Sequence, residues 1–222
     1  MRRRNTGFTL AEFVMAMAIV AIIGAAVAGV ATALSTAYAH SEDSYMDIQN
    51  GRMAMLRMQS TARKAKLVTA CTPTTAVLWT GDTNGDGQIN LSEISMLSYD
   101  AAGARLLEYR VVYPADMAPA TRSALDVVVP LSTLTSVSAT QDLLKTNVYV
   151  QTTVQADQVL DFRPGVKPAA PLSKIMTFDL KVGTSGNNLE LRSACALRAD
   201  ATQYVSTSGP GVYVLNPIPT GK

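Results

Sequence analysis

The chain has 222 residues, of which 48% are hydrophobic and only 16% are charged. Its formal net charge of +2 comes with no basic stripe, so nucleic acid is not an expected partner. The only histidine, His40, lies just beyond a long apolar segment, and no glycine-rich phosphate loop follows a predicted strand. The sequence therefore predicts that the protein is not an enzyme.

The N-terminus begins with a basic leader, residues 1–7, which contains three arginines and runs into an apolar segment over residues 8–34. Residues 13–34 carry no charge and as a helix would extend about 33 Å, enough to cross the hydrocarbon core of a bilayer. A signal peptide has a shorter apolar region of roughly 7 to 15 residues, so a membrane span is favoured. The arginines place the N-terminus in the cytoplasm and the rest of the chain on the outer side.

One carboxylate, Glu12, interrupts this apolar segment. A lone charge within a membrane helix costs at least ~2.5 to 3.5 kcal/mol, so a functional reason for it is expected. The alternative is a plain single-pass anchor in which Glu12 lies near the membrane interface by chance.

The residues around Glu12 form a motif that resembles the processing site of type IV pilins and of the pseudopilins of type II secretion systems: Gly7-Phe8-Thr9-Leu10-Ala11-Glu12. The resemblance implies that a prepilin peptidase cleaves between Gly7 and Phe8, and that the new amino group of Phe8 is then methylated. It further implies that Glu12 pairs with the Phe8 amine of an adjacent subunit. The spacing of the residues is consistent with such a charge pair, because cleavage would create a cationic amine on Phe8, one helical turn before Glu12.

The chain is predicted to have an α+β fold, with a long N-terminal helix packed on an antiparallel β-rich domain. The first proline is Pro73, and residues 35–70 are compatible with a soluble continuation of the membrane helix, weakest at Asn50-Gly51. Residues 71–198 form the predicted β-rich domain, and residues 199–222 a tail with proline and glycine.

Short runs of β-branched and aromatic residues predict the strands of this domain. The final two are expected to form a hairpin around residues 183–188. Residues 130–146 and 163–171 are predicted loops. The predicted strands cover residues 75–80, 94–99, 105–113, 147–154, 174–182 and 189–197.

Residues 82–93 match the calcium-loop pattern D-x-[DN]-x-[DN]-G-x₅-E at every fixed position. The loop is similar to those of dockerin modules, although those carry two copies. A Ca²⁺ cofactor is expected, bound with an affinity of ~10⁻⁴ to 10⁻³ M. The alternative is a polar turn without an ion. The predicted ligands are the side chains of Asp82, Asn84 and Asp86, the carbonyl of Gln88, Asn90 directly or through water, and a bidentate Glu93.

The two cysteines, Cys71 and Cys195, would lie in an oxidising compartment if the membrane orientation is as predicted. Cysteine pairs in such compartments usually form disulfides, so these two are candidates for a bond. Two buried free thiols are the alternative.

Together these features predict a structural subunit, a minor pilin or pseudopilin, of a type IV pilus-like or type II secretion filament. Its expected partners are the prepilin peptidase, other pilin-like subunits and the bacterial inner membrane, with the C-terminal domain periplasmic or extracellular. The ending of the β domain resembles the closing strand of minor pseudopilins. The alternative function is a membrane-anchored, calcium-stabilised binding module of adhesin-like or dockerin-like type.

Overall fold

The computed structural model describes residues 9–184, 187–209 and 211–218. The chain divides into two compact units, one ending at Met46 and the other comprising Asp47–Lys222. A 55-residue helix, α1 (Leu10–Lys64), begins in the first unit and continues into the second. Three further helices follow in the second unit: α2 (Pro119–Leu125), α3 (Leu131–Leu134) and α4 (Val137–Lys145).

The first unit contains the apolar part of α1. A 30-residue stretch of it, Leu10–Ala39, is long and apolar enough to cross a membrane by length and composition. None of this stretch is buried against the rest of the chain. Its large apolar side chains are exposed among the described residues.

The second unit is built on antiparallel sheets. A five-stranded sheet has the order β1-β2-β3-β4-β5, a three-stranded sheet the order β6-β7-β8, and β9 pairs with β10. The predicted α+β class is confirmed. The strands are β1 (Leu67–Thr72), β2 (Thr75–Trp79), β3 (Ile94–Asp100), β4 (Arg105–Val111), β5 (Val150–Ala156), β6 (Val159–Lys167), β7 (Ile175–Thr184), β8 (Asn187–Ala196), β9 (Val205–Gly209) and β10 (Val212–Leu215).

The five-stranded sheet is covered on both faces. Along β2, Ala76 and Leu78 belong to one hydrophobic cluster, whereas Val77 and Trp79 belong to another. This follows from the alternation of side chains along a strand. The sheet thus separates two cores, which explains why β2 reads as a continuous apolar run rather than an alternating one.

The first core lies between the five-stranded sheet, the second-unit part of α1 and the three-stranded sheet. It includes Met58 from the helix together with Phe162 and Phe178 from β6 and β7. The helix runs unbroken through Asn50-Gly51, where a sequence weakness was predicted. A Cβ on Gly51 would lie 2.9 Å from both Leu191 Cδ1 and Val182 Cγ2, so the glycine allows the helix to approach the sheet closely.

The second core lies on the opposite face of the five-stranded sheet. Trp79 and Ile89 are buried there with side chains from α3 and α4, including Leu134 and Leu144. The C-terminal segment also packs against it, because Tyr213 is partly buried in the same cluster.

The six predicted strands are present as β2–β5, β7 and β8, with ends shifted by at most about three residues, which is ordinary for strand boundaries. The predicted hairpin is β7–β8, paired from Ile175↔Ala196 to Thr184↔Asn187.

Other boundaries differ from the prediction. The helix ends at Lys64 rather than at residue 70, because residues 67–72 form β1 and pair with β2. Residues 130–146, predicted to be a loop, form α3 and α4. The side-chain oxygen of Ser136 caps α4 by accepting from Ala139 N (3.4 Å).

Two further loops or tails contain strands. Most of residues 163–171, predicted to be a loop, belongs to β6, an outer strand of its sheet where Pro164 is tolerated. Within residues 199–222, predicted to be a tail, β9 and β10 pair as an antiparallel hairpin.

Candidate functional site

The start of α1 is capped by the predicted assembly residue. Glu12 Oε2 accepts hydrogen bonds from Thr9 N (2.9 Å) and Thr9 Oγ1 (2.9 Å), and Glu12 N donates to Thr9 Oγ1 (3.3 Å). This reciprocal arrangement is a capping box, and the spacing Thr9-x-x-Glu12 is its sequence signature. The predicted cleavage residues Gly7 and Phe8 lie outside the described residues.

The capping box leaves Glu12 able to take another partner. Both donors from Thr9 reach Oε2, and Oε1 accepts no hydrogen bond from the part of the chain that the structure describes. A carboxylate oxygen accepts strong, charge-assisted hydrogen bonds from an ammonium group. The side chain can therefore cap its own helix and still bind an amine.

The predicted calcium loop connects β2 to a 3₁₀ turn, Leu91–Glu93, that leads into β3. The loop thus joins two strands, unlike the helix-to-helix loop of an EF-hand. Gly85 and Gly87 adopt positive φ angles of 74° and 73°, which favour glycine. These two glycines let the chain turn its polar side chains towards its own backbone.

Three side chains of the loop accept hydrogen bonds from backbone amides a few residues further on. Asp82 accepts from Gly85 N at Oδ1 (2.8 Å) and from Gly87 N at Oδ2 (3.1 Å). Asn84 Oδ1 accepts from Asp86 N (3.1 Å), and Asp86 Oδ1 accepts from Gln88 N (2.7 Å). Each oxygen has a second lone pair, so these bonds leave capacity to bind a cation.

Glu93, the predicted bidentate ligand, makes several hydrogen bonds within the loop. Its side chain is buried, with Oε1 accepting from Thr83 N and Thr83 Oγ1 (3.0 Å). Oε2 accepts from Trp79 Nε1 (3.0 Å) and Asn90 N (3.2 Å). Four donors therefore occupy the carboxylate, which closes the loop by joining its beginning to its end.

Asn90 carries a buried oxygen with no hydrogen-bond partner. The residue is 3% exposed, and its Nδ2 donates to Asp86 Oδ2 (3.1 Å), whereas Oδ1 accepts no hydrogen bond from the described residues. The backbone amide of Glu93 donates to the backbone carbonyl oxygen of Asn90 (3.0 Å) and not to Oδ1. Asn90 lines a polar cavity of about 480 Å³ together with Asn84, Asp86, Asp126 and the cationic Arg122.

The charges around the loop are mixed. Lys66 Nζ lies 3.7 Å from Asp82 Oδ2 and 5.3 Å from the centre of the Trp79 ring. Burial alone would raise the pKa of Asp86, but hydrogen bonds from Gln88, Asn90 and Asn84 lower that pKa below its usual value. Within the described ranges, no three His, Cys, Asp or Glu side chains stand close enough together to hold a metal ion.

The loop also contacts the C-terminal segment. A Cβ on Gly87 would lie 2.6 Å from the carbonyl oxygen of Ile218, so only glycine fits there without movement of the backbone. Ile89 of the loop is buried in the second core, against which Ile218 is partly buried. The sequence pattern did not predict this contact, since it joins residues far apart in the chain.

Cys71 and Cys195 are both free thiols in the structure, which does not form the predicted disulfide. Cys71 Sγ contacts the carbonyl oxygen of Pro164 on β6 (3.5 Å), whereas Cys195 is on β8. Cys71 itself lies on β1, and both cysteines pack in the first core. Burial raises the pKa of Cys71 to about 11.

Comparison with known proteins finds one family match, the prokaryotic N-terminal methylation motif at residues 2–28. No curated protein and no solved structure matches the chain. The matched segment includes Gly7, Phe8 and Glu12, the residues on which the resemblance to pilins was based. The N-terminal apolar helix and the motif fit a membrane-anchored pilin. The chain therefore has the prepilin-type cleavage and methylation segment of type IV pilin-like and pseudopilin proteins.

Proposed function

We propose that the protein is a minor pilin or pseudopilin, a structural subunit of a type IV pilus-like or type II secretion filament. The observation that carries this proposal is the methylation motif at residues 2–28, which overlaps the long apolar helical stretch Leu10–Ala39. Prepilin peptidase removes residues 1–7, and the Phe8 amine is methylated. The N-terminus is cytoplasmic, and the β-rich domain lies on the outer side of the inner membrane.

Assembly through the N-terminal helix is supported by the position of Glu12. Its carboxylate is exposed on the apolar helix, and its Oε1 has no partner among the described residues. A charge at this depth is unfavourable in lipid unless an opposite charge pairs with it. The processed amine of a neighbouring subunit supplies that charge, so the subunit is most stable inside a filament.

Replacement of Glu12 tests this proposal. A Glu12→Ala variant should still be cleaved, giving a product that begins with methylated Phe8 by mass spectrometry, but it should be missing from sheared filaments. Glu42→Ala is the matched control, because Glu42 lies on the same helix beyond the apolar stretch. It should be cleaved and incorporated as in the wild type.

Two results would contradict the proposal. Equal incorporation of Glu12→Ala and wild-type chains would remove the assembly role of this carboxylate. A wild-type chain that is never recovered in filaments, although it is cleaved, would favour the membrane-anchored binding module instead. A low ratio of this chain to the main filament protein would support the minor-subunit assignment, and a ratio near one would contradict it.

A further inference from the structure

We propose that residues 82–93 bind a calcium ion through five oxygen ligands, with Glu93 holding the loop together rather than coordinating the ion. The ligands are the side chains of Asp82, Asn84, Asp86 and Asn90 and the carbonyl of Gln88. This site departs from the EF-hand pattern, in which the last glutamate is a bidentate ligand. It does not depend on filament assembly.

The observation that points to a bound cation is the unpartnered oxygen of Asn90. A buried polar atom without a partner is rare in folded proteins, and Asn90 Oδ1 is such an atom in a residue only 3% exposed. The amide is held beside the Asp86 carboxylate by its Nδ2 hydrogen bond of 3.1 Å. Its oxygen is therefore a buried acceptor in a residue that contacts a loop carboxylate, and a hard cation would satisfy it.

The remaining ligands are already oriented by the backbone. The Oδ1 atoms of Asp82, Asn84 and Asp86 each accept one backbone amide bond, which fixes the side chain and leaves one lone pair free. Asp86 Oδ2 is occupied by the side-chain amides of Asn84 (2.8 Å) and Asn90 (3.1 Å). The neighbouring polar cavity of about 480 Å³ admits water to complete a coordination number of six to eight. Calcium tolerates an irregular set of oxygen ligands, whereas magnesium requires near-ideal octahedral geometry.

The hydrogen bonds of Glu93 argue against its coordinating the ion. Its two oxygens accept from four donors, among them the indole of Trp79 and the backbone amides of Thr83 and Asn90. Coordination would break these bonds inside a buried region. With only two carboxylates as ligands, and with Lys66 Nζ 3.7 Å from Asp82, the affinity is expected to be in the millimolar range.

Terbium(III) luminescence tests the site in the full-length chain in detergent. Trp79 is the only tryptophan, and its indole donates to Glu93 at the end of the loop, so it can sensitise a lanthanide bound there. We expect saturable emission that millimolar Ca²⁺ displaces and equal Mg²⁺ does not. Asp86→Asn should weaken binding at least tenfold. Asp100→Asn is the matched control, because Asp100 also accepts a backbone amide bond, from Ala102 N (3.2 Å), but lies outside the loop.

A second variant keeps the proposal testable if Asp86→Asn does not fold. Asn90→Asp adds a charge at the unpartnered oxygen and should tighten Ca²⁺ binding about fivefold or more, with a larger rise in Tm on adding Ca²⁺. Absence of tryptophan-sensitised emission, or emission that Ca²⁺ does not displace, would overturn the proposal. An unchanged Ca²⁺ affinity in the Asn90→Asp variant would also overturn the proposal. Filament incorporation is not part of this measurement, so its outcome is independent of the assembly proposal.

Discussion

Gly51 of helix α1 and Leu191 of strand β8 are in direct contact, with Leu191 Cδ1 only 2.9 Å from the position that a Cβ on Gly51 would take. Val182 Cγ2 lies equally close on the neighbouring strand. The glycine that weakens the helix as an isolated segment is therefore what lets it pack on the three-stranded sheet.

The Gly51→Ala variant should be less stable than the wild type. Alanine normally stabilises a helix by up to ~1 kcal/mol relative to glycine, but overpacking a core typically costs about 1 to 3 kcal/mol. We expect the net effect to be destabilising, measured as a lower urea midpoint for the full chain in detergent. The double variant Gly51→Ala/Leu191→Ala tests the cause, because the smaller side chain removes one of the two clashes. If the stability losses of Gly51→Ala and Leu191→Ala simply add in the double variant, the clash with Leu191 is not the cause.

Glu93→Gln should destabilise the protein even when a chelator is present. Glutamine presents an NH₂ group to donors that now face a carboxylate, so at least one of Thr83 N and Trp79 Nε1 would lose its acceptor. A buried donor without an acceptor costs about 1 to 3 kcal/mol. Thermal unfolding followed by Trp79 fluorescence measures the loss. Glu190→Gln, at an exposed position of β8, is the control. If the loss occurs only with Ca²⁺ present, Glu93 is a metal ligand after all.

Cys71 should be alkylated slowly in the folded protein. Because burial raises the pKa of Cys71 to about 11, its thiolate fraction at pH 8 is about 100-fold lower than for a thiol of pKa 9. Iodoacetamide labelling of a Cys195→Ser variant at pH 8, followed by mass spectrometry, measures the rate. Labelling should become fast in urea, and a rate in buffer equal to that in urea would contradict the burial of Cys71.

The disulfide between Cys71 and Cys195 stays a prediction for the exported protein. The structure has two free thiols, so chain produced in a reducing cytoplasm should show two reactive thiols in urea. Chain recovered from the periplasm should be compared by the same titration. Zero thiols there would establish the bond, and two would support the arrangement in the structure.

Thr9→Val should loosen the first turn of α1. The substitution removes the hydroxyl that accepts from Glu12 N (3.3 Å), a capping interaction of about 0.5 to 2 kcal/mol. Hydrogen exchange of the Glu12 amide in detergent should accelerate severalfold. Thr32→Val is the control, because Thr32 Oγ1 donates to Ala28 O (2.8 Å) in the interior of the same helix. Unchanged exchange at Glu12 in Thr9→Val would show that the hydroxyl does not cap the helix.

The N-terminal helix and most strands were predictable because their signals are local. The apolar segment before Leu34 and the β-branched runs of β2, β3, β7 and β8 determine their own structure with little help from distant residues. The missed strands carry contrary signals. In β6, Asp161, Arg163 and Pro164 hide the alternation, and the strand forms because Phe162 is fully buried and β7 pairs alongside.

The spacing predicted the loop, but not the hydrogen bonds that Glu93 makes within it. A pattern of fixed positions specifies which oxygens are available, but it does not show that Trp79 and Thr83 donate to the same carboxylate. The capping box formed by Thr9 and Glu12 could have been predicted from their spacing. It was missed at the level of the sequence because only the charge of Glu12 was considered. Contacts such as that between Gly87 and Ile218 join residues far apart in the chain and depend on the tertiary packing of the whole domain.

The five-stranded sheet contributes one face to each of the two cores, so neither core can lose its packing without exposing a face of the same strands. Independent melting of two parts is expected only where the parts do not share elements. Residues 47–222 should therefore unfold in a single cooperative transition. Loosening of the loop on one face should then be detectable as a change in the protection of the strands that support helix α1 on the other.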